Sequence, residues 1–504
     1  MTTVTPAPTP AAPAAASRTT EVGVAIVGSG FSGLGMAISL LRDGVDDFVI
    51  LERAGDVGGT WRDNTYPGCA CDVPSHLYSF SFEPNPRWTR TFSPQGEIWT
   101  YLRHCAEKYG VMPHIRFNNE LRSARWDPRL QRWHVETSQG SYLAQVLVAA
   151  TGALSDPSVP ALPGLESFQG KVFHSARWDH SYDLQGKRVA VVGTGASAIQ
   201  FVPRIQKLVD RMHVFQRTPA WIMPHPDRPL RNWERAVYRA LPPLQLAMRA
   251  GIYWGRETLV IGFLRNRMAL ATRMAKRHLR AQVADPELRD RLTPSYTIGC
   301  KRILISDEFY PALQQPNVEL ITDGVREVRA HSVVSADGTE RDVDTIIFGT
   351  GFQVTEMPIG TRICNAEGTP LAAVWQGSPQ AYAGSAVAGF PNLFMMLGPN
   401  TGLGHTSQVV MIESQIAYVS GALRHMRNRG VAALDVRPDS QRAYNEELQQ
   451  RLQGTVWNSG GCRSWYLDRN GRNSTLWPGS TWSFRTRTRR FRPEDYTQTA
   501  PIAR

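Results

Sequence analysis

The residues best placed to do chemistry fall into two glycine-rich runs with opposite partners downstream. The first is Gly28-Ser-Gly30-Phe31-Ser-Gly33, with Glu52-Arg53 about 20 residues further on. The second is Gly193-Thr194-Gly195-Ala-Ser197-Ala198, with Arg217-Thr218 where the first run has its acid. In such a run the first glycine permits a tight turn and the second lets the backbone approach a pyrophosphate. The third, for which alanine is an accepted variant, lets helix and strand pack closely. The helix that follows offers free N–H groups and a positive dipole end to phosphates. A carboxylate such as Glu52 accepts hydrogen bonds from a ribose 2′-OH and repels a 2′-phosphate, which implies FAD or NAD. A guanidinium such as Arg217 pairs with a 2′-phosphate and stacks on adenine, which implies NADPH.

Both runs need a strand, a turn, a helix and a second strand to hold them. Residues 22–27 form a short apolar run suited to a buried parallel strand, 34–42 read as a helix and 47–52 as the next strand. Residues 187–192, 198–208 and 212–215 repeat that order. A further buried strand ends at Thr151-Gly152, prolines at 157, 160 and 163 mark a linker, and another strand ends in Gly349-Thr-Gly351-Phe352. The expected fold class is α/β, with two Rossmann-like domains. These two strand ends resemble the crossings of flavoproteins with a glutathione-reductase-type FAD fold, which implies an FAD-binding domain of residues 21–155 and 349–484 with an NADPH-binding domain, 156–348, between them.

Residues 225–293 break this rhythm. Segments 233–240, 244–264 and 268–284 read as helices in which Arg and Lys lie among apolar residues. We read a helical subdomain packed on the core with a solvated basic face. An apolar face with a basic rim also suits a lid over a lipophilic substrate or, less readily, a membrane surface. Residues 1–20 read as a disordered tail without a signal peptide, and 485–504 as a basic, solvated tail.

The bulk numbers narrow the function classes. The chain has 504 residues, 42% hydrophobic and 20% charged, as for a globular protein of two to four domains. Its net charge of +12 comes without a nucleic-acid recognition element, and binding of anionic cofactors accounts for it. Six cysteines make no disulfide framework or zinc-ligand spacing, so no metal is expected and a reducing, cytoplasmic setting fits. No apolar run reaches the roughly 18–20 residues that span a bilayer.

Longer patterns surround the two glycine runs. Phe168-Gln-Gly170-Lys-Val-Phe-His174-Ser-Ala-Arg-Trp178-Asp179 reads F-x-G-x₃-H-x₃-W-[P/D]. Gly58-Gly59-Thr60-Trp61, Tyr66-Pro67-Gly68 and Asp72 read [A/G]-G-x-W-x₄-[F/Y]-P-[G/M]-x₃-D. Together they resemble the signatures of type I Baeyer–Villiger monooxygenases, class B flavin-dependent enzymes that insert oxygen beside a ketone carbonyl. The resemblance covers about residues 22–480 and extends to Lys301-Arg302, Gly398-Pro-Asn400 and Ser464-Trp465-Tyr466.

That resemblance implies FAD and NADPH as cofactors, O₂ and a small-molecule ketone as substrates, and a monomer or weak homo-oligomer. It implies a C4a-peroxyflavin stabilised by Arg302, with Asp72 holding the arginine. It puts Lys301 on the 2′-phosphate, Trp465 near the nicotinamide, and Gly398 and Asn400 near the flavin. His174 and Trp178 then lie on the domain linker, as structural residues or guides of domain motion; by themselves they would read as a hydrogen-bonded linker histidine and a packing tryptophan. Thr401-Gly-Leu-Gly-His405-Thr-Ser departs from the cyclic-ketone pattern, which leaves N- or S-oxygenation open. A flavin reductase, a dinucleotide sensor and a Cys69/Cys71 disulfide reductase are the other readings. Replacing Arg217 by Ala is expected to raise the KM for NADPH about tenfold to a hundredfold and to leave that for NADH nearly unchanged, by steady-state kinetics with both.

Overall fold

The computed structural model describes residues 19–462 and 464–502, so the tail expected over 1–20 lies almost wholly outside the described residues. Strands Thr20–Val27, Phe48–Leu51, Ile115–Arg116, Leu121–Asp127, Arg132–Thr137 and Gly140–Ala149 share one sheet with Ile363–Cys364 and Leu393–Met395. Thr20–Val27 lies between Phe48–Leu51 and Gly140–Ala149, parallel to both and fully buried from Val24 on. That explains its near-continuous apolar sequence. Strands Val318–Ile321, Arg211–Phe215, Arg188–Val192, Thr345–Phe348 and Lys171–His174 form a second, wholly parallel sheet in that spatial order.

The strand Lys171–His174 is therefore the edge of the second sheet, in register with Thr345–Phe348. It is not a free linker. The true crossings lie either side of it: Pro157 and Phe352 bridge antiparallel, Ser158 N–H donates to Gly351 O at 2.9 Å, and Gln353 N–H donates to Asp156 O at 2.9 Å. Chain leaves and re-enters the first sheet through this paired ribbon.

The insertion folds as helices Asn232–Ala240, Pro242–Glu257, Val260–Leu264, Ala269–Gln282 and Pro286–Leu292. Its longest helix docks through polar side chains. Gln245 donates to Asn85 O, and the buried Arg249 donates to His76 O, Leu77 O and Ser79 Oγ at 3.0–3.2 Å. The basic segment from 485 does not trail in solvent, as the sequence suggests. Helix Thr481–Thr488 packs on Gln408–Arg429, and strand Tyr496–Thr499 pairs antiparallel with Ala433–Val436. The buried Tyr496 hydroxyl bonds that of Tyr418 at 2.7 Å, a partnership the flanking arginines hide from a composition reading. Arg249→Ala leaves its buried acceptors unpaired and is expected to cost about 2–4 kcal/mol. Hydrogen exchange over residues 242–257 should rise first.

Candidate active site

Gly28 and Gly193 occupy equivalent turns. Their φ values are +101° and +104°, and a Cβ would lie 2.7 Å from Ala150 O and 2.6 Å from Gly349 O, so only glycine fits. Gly33 fits closely against Gly28, while Gly30 and Gly195 face more open space. Phe31 opens helix Phe31–Arg42 and packs on Tyr78 and Phe80. Glu52 is buried; Oε2 accepts from Ser29 N and Oγ at 3.0 and 2.6 Å, and Oε1 meets Arg62 at 3.0 Å. The acid thus also clamps its own glycine turn. Arg53 pairs with Asp156, and Thr60 reaches Leu154 O, both on the outgoing crossing.

The stretch from Gly59 to Asp72 joins the two halves. Trp61 Nε1 donates to Tyr78. Tyr66, which the motif resemblance counts among the FAD-binding residues, buries its ring against Phe201 and donates to Gln200 Oε1 at 2.9 Å, on the helix Ala198–Ile205. Gln200 donates back to Ala70 O at 3.0 Å. The FAD-side motif is therefore docked on the helix behind Thr194 and Ser197 at the second glycine run.

Asp72 and Arg302 meet. Nε and Nη2 of Arg302 both lie 2.6 Å from Asp72 Oδ2, and each side chain is about 30% exposed. Asp72 holds the arginine pKa above its ordinary value, with burial opposing, so the cation is fixed. Tyr466 lies within the same field; burial pushes its phenol up to about 12. Lys301 lies 5.1 Å over the Tyr296 ring; burial and then the like charge of Arg217 lower its pKa. Among the described residues neither Lys301 nor Arg217 makes an ion pair, which leaves two neighbouring cations for a phosphate. Trp465 is 45% exposed and edge-on to Tyr466. Thr218 follows Arg217 at the strand end.

The fingerprint residues brace the second sheet. Phe168 lines its core, Gly170 leaves room for Asp344 O, and Trp178 packs on Phe173 and Phe201. Asp179 bonds Lys171 at 2.5 Å. His174 is buried, its Nδ1 accepts from Ala176 N–H at 3.0 Å, and its ring stands edge-on to Phe352 of the returning crossing. It does not reach Asp72 or Arg302 by any hydrogen bond among the described residues.

FAD fits the first half. Beyond the glycine turn, Asn400 Oδ1, His405 Nδ1, Thr406 Oγ1 and Gln408 Oε1 are all buried without partners. Four such atoms within nine residues, at the start of helix Gln408–Arg429, suit the polar edge of a bound ring. Asn400 Nδ2 meanwhile donates to Asn473 O and Leu476 O, and Gly398 packs on Gly384.

Several site residues escape a sequence reading. Arg256 donates to His405 O at 2.9 Å; burial lowers its pKa while Asp72 raises it, placing a second guanidinium in the field of the Asp72–Arg302 pair. Glu257 bonds His405 Nε2 at 2.9 Å. The only signal was the recurrence of 245, 249 and 256 as polar positions in an apolar helix. Cysteine usage suggested no disulfide, yet Cys300 and Cys462 are joined, next to Lys301-Arg302 and just before Ser464-Trp465. A separation of 162 residues gives no spacing to recognise. Cys69 and Cys71 are free and buried, with thiol pKa values raised by burial, Cys69 to about 11, which disfavours a reactive thiolate there.

Known proteins resemble the whole chain. The flavin-binding monooxygenase-like family model matches residues 21–361. A Baeyer–Villiger monooxygenase of Streptomyces coelicolor is 55% identical over 95% of this chain and 93% of its own. Another from Pseudomonas aeruginosa is 54% identical over 95% and 92%. An oxidised steroid monooxygenase bound to NADP superposes with a TM-score of 0.84 at 29% identity, covering 95% of this chain and all of that one.

Burial lowers the His174 pKa to about 4 from an ordinary 6.5. The unfolded chain therefore binds the extra proton first, so this contribution to stability is complete above pH 6.5 and is lost as pH falls toward 4. The loss is about 1.4 kcal/mol per unit. His174→Asn should show a shallower fall of Tm across that window; an unchanged slope would assign the acid sensitivity elsewhere.

Proposed function

Because the chain belongs to the flavin-binding monooxygenase-like family, and within it to the Baeyer–Villiger monooxygenases, we propose that it converts a ketone to an ester or lactone. One oxygen atom of O₂ enters the carbon–carbon bond beside the carbonyl, the other leaves as water, and NADPH supplies the electrons. The observation that carries this reading is the Asp72–Arg302 ion pair beside the Tyr466 and Cys71 side chains.

Bound FAD, reduced by NADPH, supplies the oxygen-activating chemistry. The chain's own residues set its surroundings. Glu52 and the Gly28–Gly33 turn would hold the FAD ribose and pyrophosphate, while Arg217 and Lys301 would hold the NADPH 2′-phosphate. Arg302 cannot give up its proton at working pH, so it offers fixed positive charge to an anionic oxygen. Asp72 fixes the guanidinium plane, and Trp465 would lie against the nicotinamide. His174, buried on the second sheet against the returning crossing, guides motion between the halves without entering the chemistry. The likeness to a steroid monooxygenase and the apolar insertion favour bulky lipophilic ketones. The unusual run around His405 supports heteroatom oxidation as a second reading. We further propose a monomer or weak homo-oligomer in the cytoplasm, a setting that the Cys300–Cys462 bond does not itself favour. Among the described residues no helix is long and apolar enough to cross a membrane.

The test is anaerobic reduction by NADPH, then rapid mixing with oxygenated buffer. A near-ultraviolet species that persists, and collapses faster with ketones as ester forms, is expected. Acceleration by amines or sulfides alone would favour heteroatom oxidation, and direct return to oxidised flavin with peroxide release would favour a reductase. Arg302→Ala should still oxidise NADPH but lose ester formation by about a hundredfold or more.

A further inference from the structure

Helix Pro242–Glu257 is built inside out. Gln245, Arg249 and Glu257 are buried, while Leu244 and Met248 are exposed on the other side and Trp254 is 52% exposed. Leu241, Leu244, Met248, Gly251 and Gly255 follow one another at spacings of three and four, a single stripe of the helix. A Cβ at either glycine would meet nothing within 4 Å, so the stripe faces open space. Trp254 lies 5.6 Å from Trp482, itself 50% exposed, on the helix Thr481–Thr488. Ile261 and Leu270 continue the exposure at 52% and 70%. Isolated surface apolar residues are ordinary, but a helix that buries its charges and exposes its leucines, methionine and tryptophan marks a surface with a partner.

Charge identifies that partner. Residues 258–284 hold six Lys or Arg and no Asp or Glu. Arg265, Arg267, Arg273, Lys276, Arg277 and Arg280 are all exposed. Beside Trp482, Arg485, Arg489, Arg490 and Arg492 are exposed too. A second copy placed on this face would set cation against cation. Nucleic acid would match the arginines but leave the tryptophan and leucine stripe unsatisfied. A bilayer with anionic headgroups satisfies both: apolar side chains enter the interface and the basic rim meets phosphate, each cation adding about fivefold to partition. We propose that the outer face of the insertion, with Trp482 and the arginines after it, binds the surface of an anionic phospholipid membrane. The protein lies on the bilayer and does not cross it. The solvated basic face read from sequence is thus half of a membrane-binding face.

The FAD-loaded enzyme should be sedimented with vesicles of phosphatidylcholine, with and without phosphatidylglycerol, at low and high salt. Binding at least tenfold stronger to the phosphatidylglycerol vesicles, and weakened by salt, is expected. Trp254→Ser with Trp482→Ser should lower it about tenfold, and Arg265→Gln, Arg267→Gln, Arg273→Gln and Arg277→Gln, made singly, about fivefold each. Oxidation of a water-soluble ketone should stay at the level of the parent, which shows that the variants are folded. No binding to either vesicle, or equal binding to both, would overturn the proposal with the unmodified enzyme alone. A concentration-dependent dimer that the tryptophan changes abolish, without vesicle binding, would give the face to a second copy.

Discussion

The site depends on one ion pair between residues 230 positions apart. Asp72 ends a motif that begins beside the first glycine turn, and Arg302 stands just before the short strand Leu304–Ile305. Their 2.6 Å contact makes two parts of the chain converge on one charge. Such a partly exposed pair contributes little to stability by itself. Its value lies in placement: a cation that cannot deprotonate is held in one orientation where negative charge develops.

Everything around the pair limits how it can move. Tyr66 and Gln200 fasten the Asp72 segment to the second unit, so the carboxylate follows that unit as well as the first. The paired crossings at Pro157 and Phe352 are the route by which the units are joined, and His174 and Arg53 both press on them. The Cys300–Cys462 bond ties the arginine's strand to the segment of Trp465, and Glu257–His405 ties the insertion to the loop after Asn400. A displacement of the insertion is thereby felt at the loop after Asn400 through a buried contact.

Much of this was legible because it depends on local rules. A glycine at a turn with φ near +100° and an acid or arginine at the next strand end are readable one residue at a time, and Glu52 and Arg217 distinguish the two sites by charge alone. The Asp72–Arg302 contact was legible only through resemblance, since no spacing rule joins such distant residues. Other features, the Cys300–Cys462 bond among them, were not readable. The insertion's polarity is inverted: Arg249 is satisfied by backbone carbonyls of another segment, so an amphipathic pattern gives the stripe and not which side faces inward. The docking of Tyr66 on Phe201 and Gln200 joins distant segments that no spacing rule connects. The arginine-rich end looks solvated, yet Tyr496 and Phe484 anchor it.

The most direct test of the central claim is a double-mutant cycle on ester formed per NADPH consumed, with Asp72→Ala, Arg302→Ala and both together. If the pair acts as a unit, the double variant loses about as much as Arg302→Ala alone, and Asp72→Ala loses most of that. Losses that multiply, with Asp72→Ala retaining near-full coupling, would contradict it and leave Arg302 to act without the carboxylate that holds it.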